Sequence, residues 1–350
     1  MIRWSLLAVL ATSLLAPVAA AAVELTPELG REYARPHDAI DLGHGRHLNL
    51  FCMGSGPRTV LFDAGGSDWS DVWALVQPTV AKTARACAYD RAGLGHSDPS
   101  PLPRTPVEIA QDLHALVVAA KLQTPLVVVG HSLGGFNVKL YAALYPQDVA
   151  GLVLVDPSED RTPARARSLL RGRFGSAIAA RSELADLTLF AWLTDRYTRC
   201  AAAAREAPLD PLSPTYRRCT DPVRKPLGPE VAAARARIQV TAAYQEAQAS
   251  EVLNSVYAGE RADAVYQDLF RPGVFGRKPM VVLTHGLYDK TDPIDAAGQA
   301  VGIALHEETA RLSSAGRHRV VPGTTHYIEL DAPDAVAGAI AEVLGALPPH

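Results

Sequence analysis

The run Pro125-Leu126-Val127-Val128-Val129-Gly130-His131-Ser132-Leu133-Gly134 decides how the rest of the chain is read. Its first half is a continuous apolar stretch, the mark of a strand buried on both faces. Gly134 to Leu144 then takes on helical character, so Ser132 stands in a strand-to-helix turn. A G-x-S-x-G pattern in that setting reads as a nucleophile elbow. The turn is tight enough that side chains at both flanking positions would clash, which places glycine at 130 and 134. That geometry lifts Ser132 above the sheet edge and points the Leu133 N–H, near a helix start, at any developing oxyanion. The plainer reading is a serine in an ordinary turn, and the strand before it and helix after it weigh against that. A near match, Gly95-His96-Ser97-Asp98-Pro99, lacks the second glycine, so Ser97 reads as structural.

A serine hydroxyl is a weak nucleophile until a base takes its proton. The base is expected to be a histidine late in the chain, after the final strand. His326 in Gly323-Thr324-Thr325-His326-Tyr327 fits. His44 and His47 lie early, His114 lies on a helix, His318 falls just before the last strand, and His131 points away along the elbow. An acid must hold the imidazole in the right tautomer, and it should fall between the serine and the histidine. Asp289, on the loop after the apolar run 279–284, is favoured. Asp292 on the same loop and Asp156, at the end of the run 151–156, are the alternatives. Asp292-Pro293 also reads as a helix N-cap followed by proline at the first helical position. Ala64-Gly65-Gly66-Ser67 offers unhindered backbone N–H groups for a second oxyanion donor, with Gly66 preferred over a plain glycine turn.

The 350 residues are 48% hydrophobic and 20% charged, with a net charge of −3, which describes a globular chain. No basic stripe points to nucleic acid. Met1-Ile2-Arg3-Trp4, an uncharged run to Val23 and small residues at 18–22 read as a cleaved signal peptide over 1–22. The rival is an uncleaved anchor, but Leu6 to Leu15 is short for a span. The expectation is a periplasmic or secreted protein with no stable membrane insertion after cleavage. Four cysteines (Cys52, Cys87, Cys200, Cys219) in an exported chain suggest two disulfides, in any of three pairings. No C-x-x-C or His/Cys cluster has metal-ligand spacing, so zinc is not expected, and serine–histidine chemistry needs no metal or organic cofactor.

Strands are expected at 39–42, 46–52, 59–63, 86–90, 125–130, 151–156, 279–284 and 319–321, with helices near 69–84, 106–121, 134–144 and 332–347. This alternation argues for an α/β architecture, a mostly parallel sheet covered on both sides. From Pro157 to about Lys278 the strand signal fades. Helical stretches replace it, the clearest from Pro229 to Ala258, and they read as an insertion capping one end of the sheet.

With these residues in hand, the chain resembles the α/β-hydrolase superfamily over nearly all of 37–347. Asp90-Arg91-Ala92-Gly93-Leu94-Gly95-His96-Ser97 resembles that family's D-x-x-G-x-G-x-S loop. His326 followed by Leu330, Pro333 and Val336 resembles its histidine block, and Gly286-x-x-Asp289-x-x-x-Pro293 its acid loop. The common His-Gly pair of the oxyanion loop is replaced here by Ala64-Gly65. The resemblance implies one hydrolase domain over 23–350 on an eight-stranded sheet of order 1-2-4-3-5-6-7-8, with the cap at about 157–278. It further implies Cys52–Cys87 and Cys200–Cys219 pairings, because the strands holding the first two would be neighbours. The activity it implies is hydrolysis of a small-molecule carboxylic ester, thioester or lactone through an acyl-enzyme. Serine at the elbow disfavours the haloalkane dehalogenase and epoxide hydrolase branches, which use aspartate there. The alternatives are hydrolysis of a C–C or other acyl bond by the same triad, or a non-catalytic ligand-binding member of the fold. Oligomeric state is left open.

Overall fold

The computed structural model describes residues 24–160, 162–255, 266 and 269–349, without side chains at 162–164. The signal peptide expected over 1–22 lies outside the described residues. Eight strands build one sheet: β1 (Asp38–Asp41), β2 (His47–Met53), β3 (Thr59–Asp63), β4 (Arg85–Tyr89), β5 (Leu126–His131), β6 (Val149–Val155), β7 (Met280–His285) and β8 (Gly316–Val321). Their order is β1-β2-β4-β3-β5-β6-β7-β8, as the resemblance implied. The pairs β1–β2 and β2–β4 are antiparallel and the rest parallel.

The continuous apolar runs have a simple cause. Alternate residues of a strand point to opposite faces, and here both faces are covered. Leu61, Val128, Leu154 and Val282 pack against Leu113 and Leu116 of α3 (Pro106–Ala119) and Phe136 and Leu140 of α4 (Leu133–Leu144). Val60, Phe62, Val127, Val129, Val153 and Val281 face Trp73 and the Val336, Ile340 and Val343 stripe of the C-terminal helix (Pro333–Gly345). Two short helices precede α3, namely α1 (Pro27–Tyr33) and α2 (Gln77–Val80).

Between β6 and β7 the described elements are helical: α5 (Thr162–Glu206), α6 (Pro214–Cys219), α7 (Gly228–Ile238) and α8 (Ala242–Asn254). They fit the insertion expected over 157–278. Gly175, at φ 82°, breaks α5 into two helices. After β7 come α9 (Pro293–Ala310), α10 (Ile328–Asp331) and α11 (Pro333–Gly345). No helix among the described residues is long and apolar enough to cross a membrane.

Three expectations are corrected. The helix near 69–84 is a 3-10 turn at Ser70–Trp73 followed by the four-residue α2. Pro78 has no N–H to continue a helix from Ala74, so it stands in the first turn of α2 and starts a new helix there. The helix from Pro229 breaks into α7 and α8, because the Thr241 side chain caps a new start at the N–H of Tyr244. His318 lies inside β8, not before it.

Both disulfides are present as paired. Cys52 and Cys87 are directly opposite in the β2–β4 register, with Cα atoms 4.0 Å apart. Cys200–Cys219 joins α5 to α6.

Candidate active site

Ser132 follows β5 and caps the start of α4 with φ 50° and ψ −120°. A non-glycine residue in that region is strained by about 1–3 kcal/mol, so its surroundings must impose it. The Ser132 N–H donates to Val155 O at 3.0 Å, and its carbonyl accepts from Ser158 N at 2.9 Å. The flanking glycines are required by space. A Cβ on Gly130 would lie 2.3 Å from Gly134 O, and one on Gly134 would lie 2.4 Å from the carbonyl oxygens of both Asp63 and Ala64. The elbow thus presses directly on the loop that follows β3.

His326 lies between β8 and α10. His131, the residue before Ser132, reaches its backbone carbonyl through Nε2 at 2.9 Å, and the two rings are 4.6 Å apart between centroids. The His326 imidazole turns its Nδ1 to the Oδ2 of Asp156 at 2.5 Å. Asp156 directly follows β6, the strand next to β5, with a positive φ of 45° and only 5% exposure. The same Oδ2 receives His285 Nδ1 at 2.7 Å, and Oδ1 receives the His285 N–H at 3.1 Å. Burial alone would raise the Asp156 carboxyl, but the hydrogen bonds from His285 and His326 outweigh it and hold it well below the usual range. The Asp156 bond in turn raises the His285 pKa, against partial burial.

The carboxylate that His326 meets is Asp156 and not Asp289. Asp289 is exposed and spends its carboxylate on the N–H and hydroxyl of Thr291, at 2.8 and 2.6 Å. It is therefore closed into a local turn, away from His326. Asp292 caps α9, accepting from Ile294 N at 2.8 Å, as its structural reading held. Asp156, the third candidate, is the carboxylate that His326 meets.

The loop 64–68 is fixed from below and from the helical insertion. Arg91, 1% exposed, donates to Asp63 at 2.6 Å, to Ala64 O at 2.6 Å, to Gly65 O at 2.7 Å and to Glu251 of α8 at 2.6 and 2.9 Å. Glu251 also accepts the Ser67 N–H at 3.3 Å. In a trans peptide the N–H points opposite to the C=O. Holding the carbonyls of Ala64 and Gly65 on Arg91 therefore aims the N–H groups of Gly65 and Gly66 away from it. A Cβ on Gly66 would touch the Leu133 side chain at 3.8 Å, so the two positions are neighbours. Asp68, next along, is bound by Arg224 at 2.6 Å and by Arg235 of α7 at 2.8 Å.

Sequence reasoning missed His285, Arg91 and Glu251 as parts of the site. His285 carries a signal, since it ends a buried parallel strand at the sheet edge where Asp156 also lies. The pairing of Arg91 with Glu251, 160 residues apart, carries none. Asp156, His285 and His326 bring donor atoms within 4.8 Å of one another, a set able to hold a metal ion. A metal there would replace both N–H···O bonds to Asp156.

Residues 58–333 match the α/β hydrolase fold family, and the chain belongs to it. An esterase from Thermogutta terrifontis shares the fold at TM-score 0.55 and 20% identity, over 89% of this chain and 98% of that one. The meta-cleavage product hydrolase CumD of Pseudomonas fluorescens IP01 does so at TM-score 0.55 and 17% identity, over 89% and 98%. Among curated relatives, YqjL of Bacillus subtilis is 33% identical over 105 residues, 30% of this chain and 42% of that protein. The match spans less than half the length of the first such relatives.

Proposed function

We propose that the chain is an exported serine hydrolase that cleaves a carboxylic ester, thioester or lactone, with Ser132 as nucleophile, His326 as base and Asp156 as acid. The observation that carries the reading is His326 Nδ1 on the buried Asp156 carboxylate, beside a serine held in the strained elbow conformation. Ser132 Oγ attacks the acyl carbon while His326 Nε2 takes its proton, and the imidazolium is stabilised by Asp156. The oxyanion accepts from Leu133 N–H, which as the first helical residue has no intrahelical partner, and from Gly66 N–H. The latter is favoured because the N–H groups of Ser67 and Asp68 are already engaged, by Glu251 and by Gly65 O. His326 then protonates the leaving alcohol or thiol. Water, activated by the same histidine, releases the acid from Ser132. The two disulfides are compatible with export.

The test is turnover of a p-nitrophenyl ester series of increasing acyl length. The reading expects hydrolysis that vanishes in Ser132→Ala and survives chelator. Absence of turnover across esters, thioesters and lactones by folded protein would sink it. Loss of turnover on chelation would move the chemistry to a metal on Asp156, His285 and His326.

A further inference from the structure

Glu329 of α10 is a fully buried carboxyl with no obvious partner. Its Oε1 lies 3.2 Å from His131 Nδ1, and both side chains are at most 1% exposed. Neither Glu329 oxygen nor His131 Nδ1 has a hydrogen bond if all three act as acceptors. His131 is committed on its other side, because Nε2 meets the His326 carbonyl, which only accepts. That carbonyl fixes the His131 proton on Nε2 and leaves Nδ1 bare. Buried polar groups are destabilising when left without a hydrogen-bond partner. One proton resolves the arrangement: carried by Glu329, it donates to Nδ1 and pairs both groups.

We propose that Glu329 is a positioning residue which, as the neutral acid, locks His131 in its Nε2–H tautomer so that His131 fastens the backbone of His326. The chain runs Glu329 O–H to His131 Nδ1, then His131 Nε2–H to His326 O. It rests on the reading of His326 as the base. Burial supports both neutral forms, pushing the Glu329 carboxyl well above the usual range and the His131 imidazole down to about 3. The ionisable groups that act on the pair include Asp68, Asp156, Arg224 and His326. Desolvation outweighs each of them for both groups. Space fixes His131 as well. A Cβ on Gly65 would come within 2.9 Å of its Nδ1, so the ring is wedged between loop 64–68 and the His326 loop. A wedge in that place sets the separation of base and oxyanion donors, where a shift of about 1 Å can cost on the order of 100-fold in rate.

The experiment combines two readouts. Protein carrying ¹⁵N-histidine gives the His131 tautomer by long-range ¹⁵N–¹H NMR from pH 5 to 9, the signal being assigned by its loss in His131→Gln. The expected result is neutral Nε2–H throughout, in wild type and in Glu329→Gln. Protonated His131, or the Nδ1–H tautomer, overturns the proposal. Fluorophosphonate labelling of Ser132 supplies the rate. Glu329→Gln keeps a neutral donor and should label within about threefold of wild type, while Glu329→Met, of similar size but with no donor, should label at least about tenfold more slowly. Equal rates for the Met variant and wild type would reduce Glu329 to a packing role and overturn the proposal. Failure of wild type to label at all defeats the serine hydrolase reading instead, and the tautomer alone then decides the Glu329–His131 bond.

Discussion

Replacing Asp156 by Asn separates the two carboxylates that compete for the role of acid. Asp156 Oδ2 receives two imidazole N–H groups, at 2.5 and 2.7 Å, and Oδ1 receives a backbone N–H at 3.1 Å. An amide has one acceptor oxygen, so in either orientation its NH2 faces a donor. The His326 proton on Nδ1 loses its acceptor or its charged partner. Charge centres about 4 Å apart at an effective dielectric near 20 attract by about 4 kcal/mol. Losing that stabilisation of the imidazolium slows the reaction by about 1000-fold, at roughly 1.4 kcal/mol per decade. The fold should survive, since Asn tolerates the positive φ at this position. The assay is kcat on the best p-nitrophenyl ester at pH 8, with a urea melt to verify folding. Asp289→Asn is the control and should stay within about twofold, because its carboxylate serves only the Thr291 turn. Retention of more than a tenth of the activity in Asp156→Asn, or an equal loss in Asp289→Asn, would refute the reasoning.

Three further outcomes are expected. The pKa of His285 is raised in the folded state by its bond to Asp156, so its stabilisation is complete below the unfolded value near 6.5 and fades as pH rises through the folded one. Urea unfolding should therefore find wild type and His285→Gln furthest apart near pH 6 and converging toward pH 9; a pH-independent gap would contradict this. Glu251→Ala leaves the buried Arg91 short of a partner and should cost on the order of 3 kcal/mol of unfolding free energy. Because Arg91 also holds the Ala64 and Gly65 carbonyls, kcat should fall with it, and unchanged kcat in the folded variant would detach loop 64–68 from catalysis. Replacing Cys200 and Cys219 together by Ser opens a loop of 19 residues and should lower stability by about 3 kcal/mol. A loss under 1 kcal/mol would argue against the bridge.

What the sequence made legible follows from what is local. Strands β3 and β5 were readable because burial on two faces makes their centres continuously apolar, with no exposed position, and Thr59–Asp63 coincides with its expected span. Ser132 was readable because the glycines at 130 and 134 are forced by contacts within the turn and with the loop just after β3. His326 followed from its place after the last strand. The carboxylate that meets His326 did not follow, since spacing places Asp289 on a suitable loop without revealing that Thr291, two residues on, captures its carboxylate. Asp156 was visible only as the end of a strand. Its two imidazole partners lie 129 and 170 residues away. The same distance in sequence hid the pairing of Glu329 with His131. Residues 69–84 differ because Pro78 cannot sit inside a helix and opens a new first turn at α2.

Mass spectrometry after treatment with a fluorophosphonate reads out whether Ser132 is the nucleophile. One covalent adduct per chain is expected, mapped to the peptide containing Ser132, absent in Ser132→Ala and strongly slowed in His326→Ala and Asp156→Asn. Folded wild-type protein that takes up no label, or takes it up at Ser97 or elsewhere with Ser132 untouched, would contradict it.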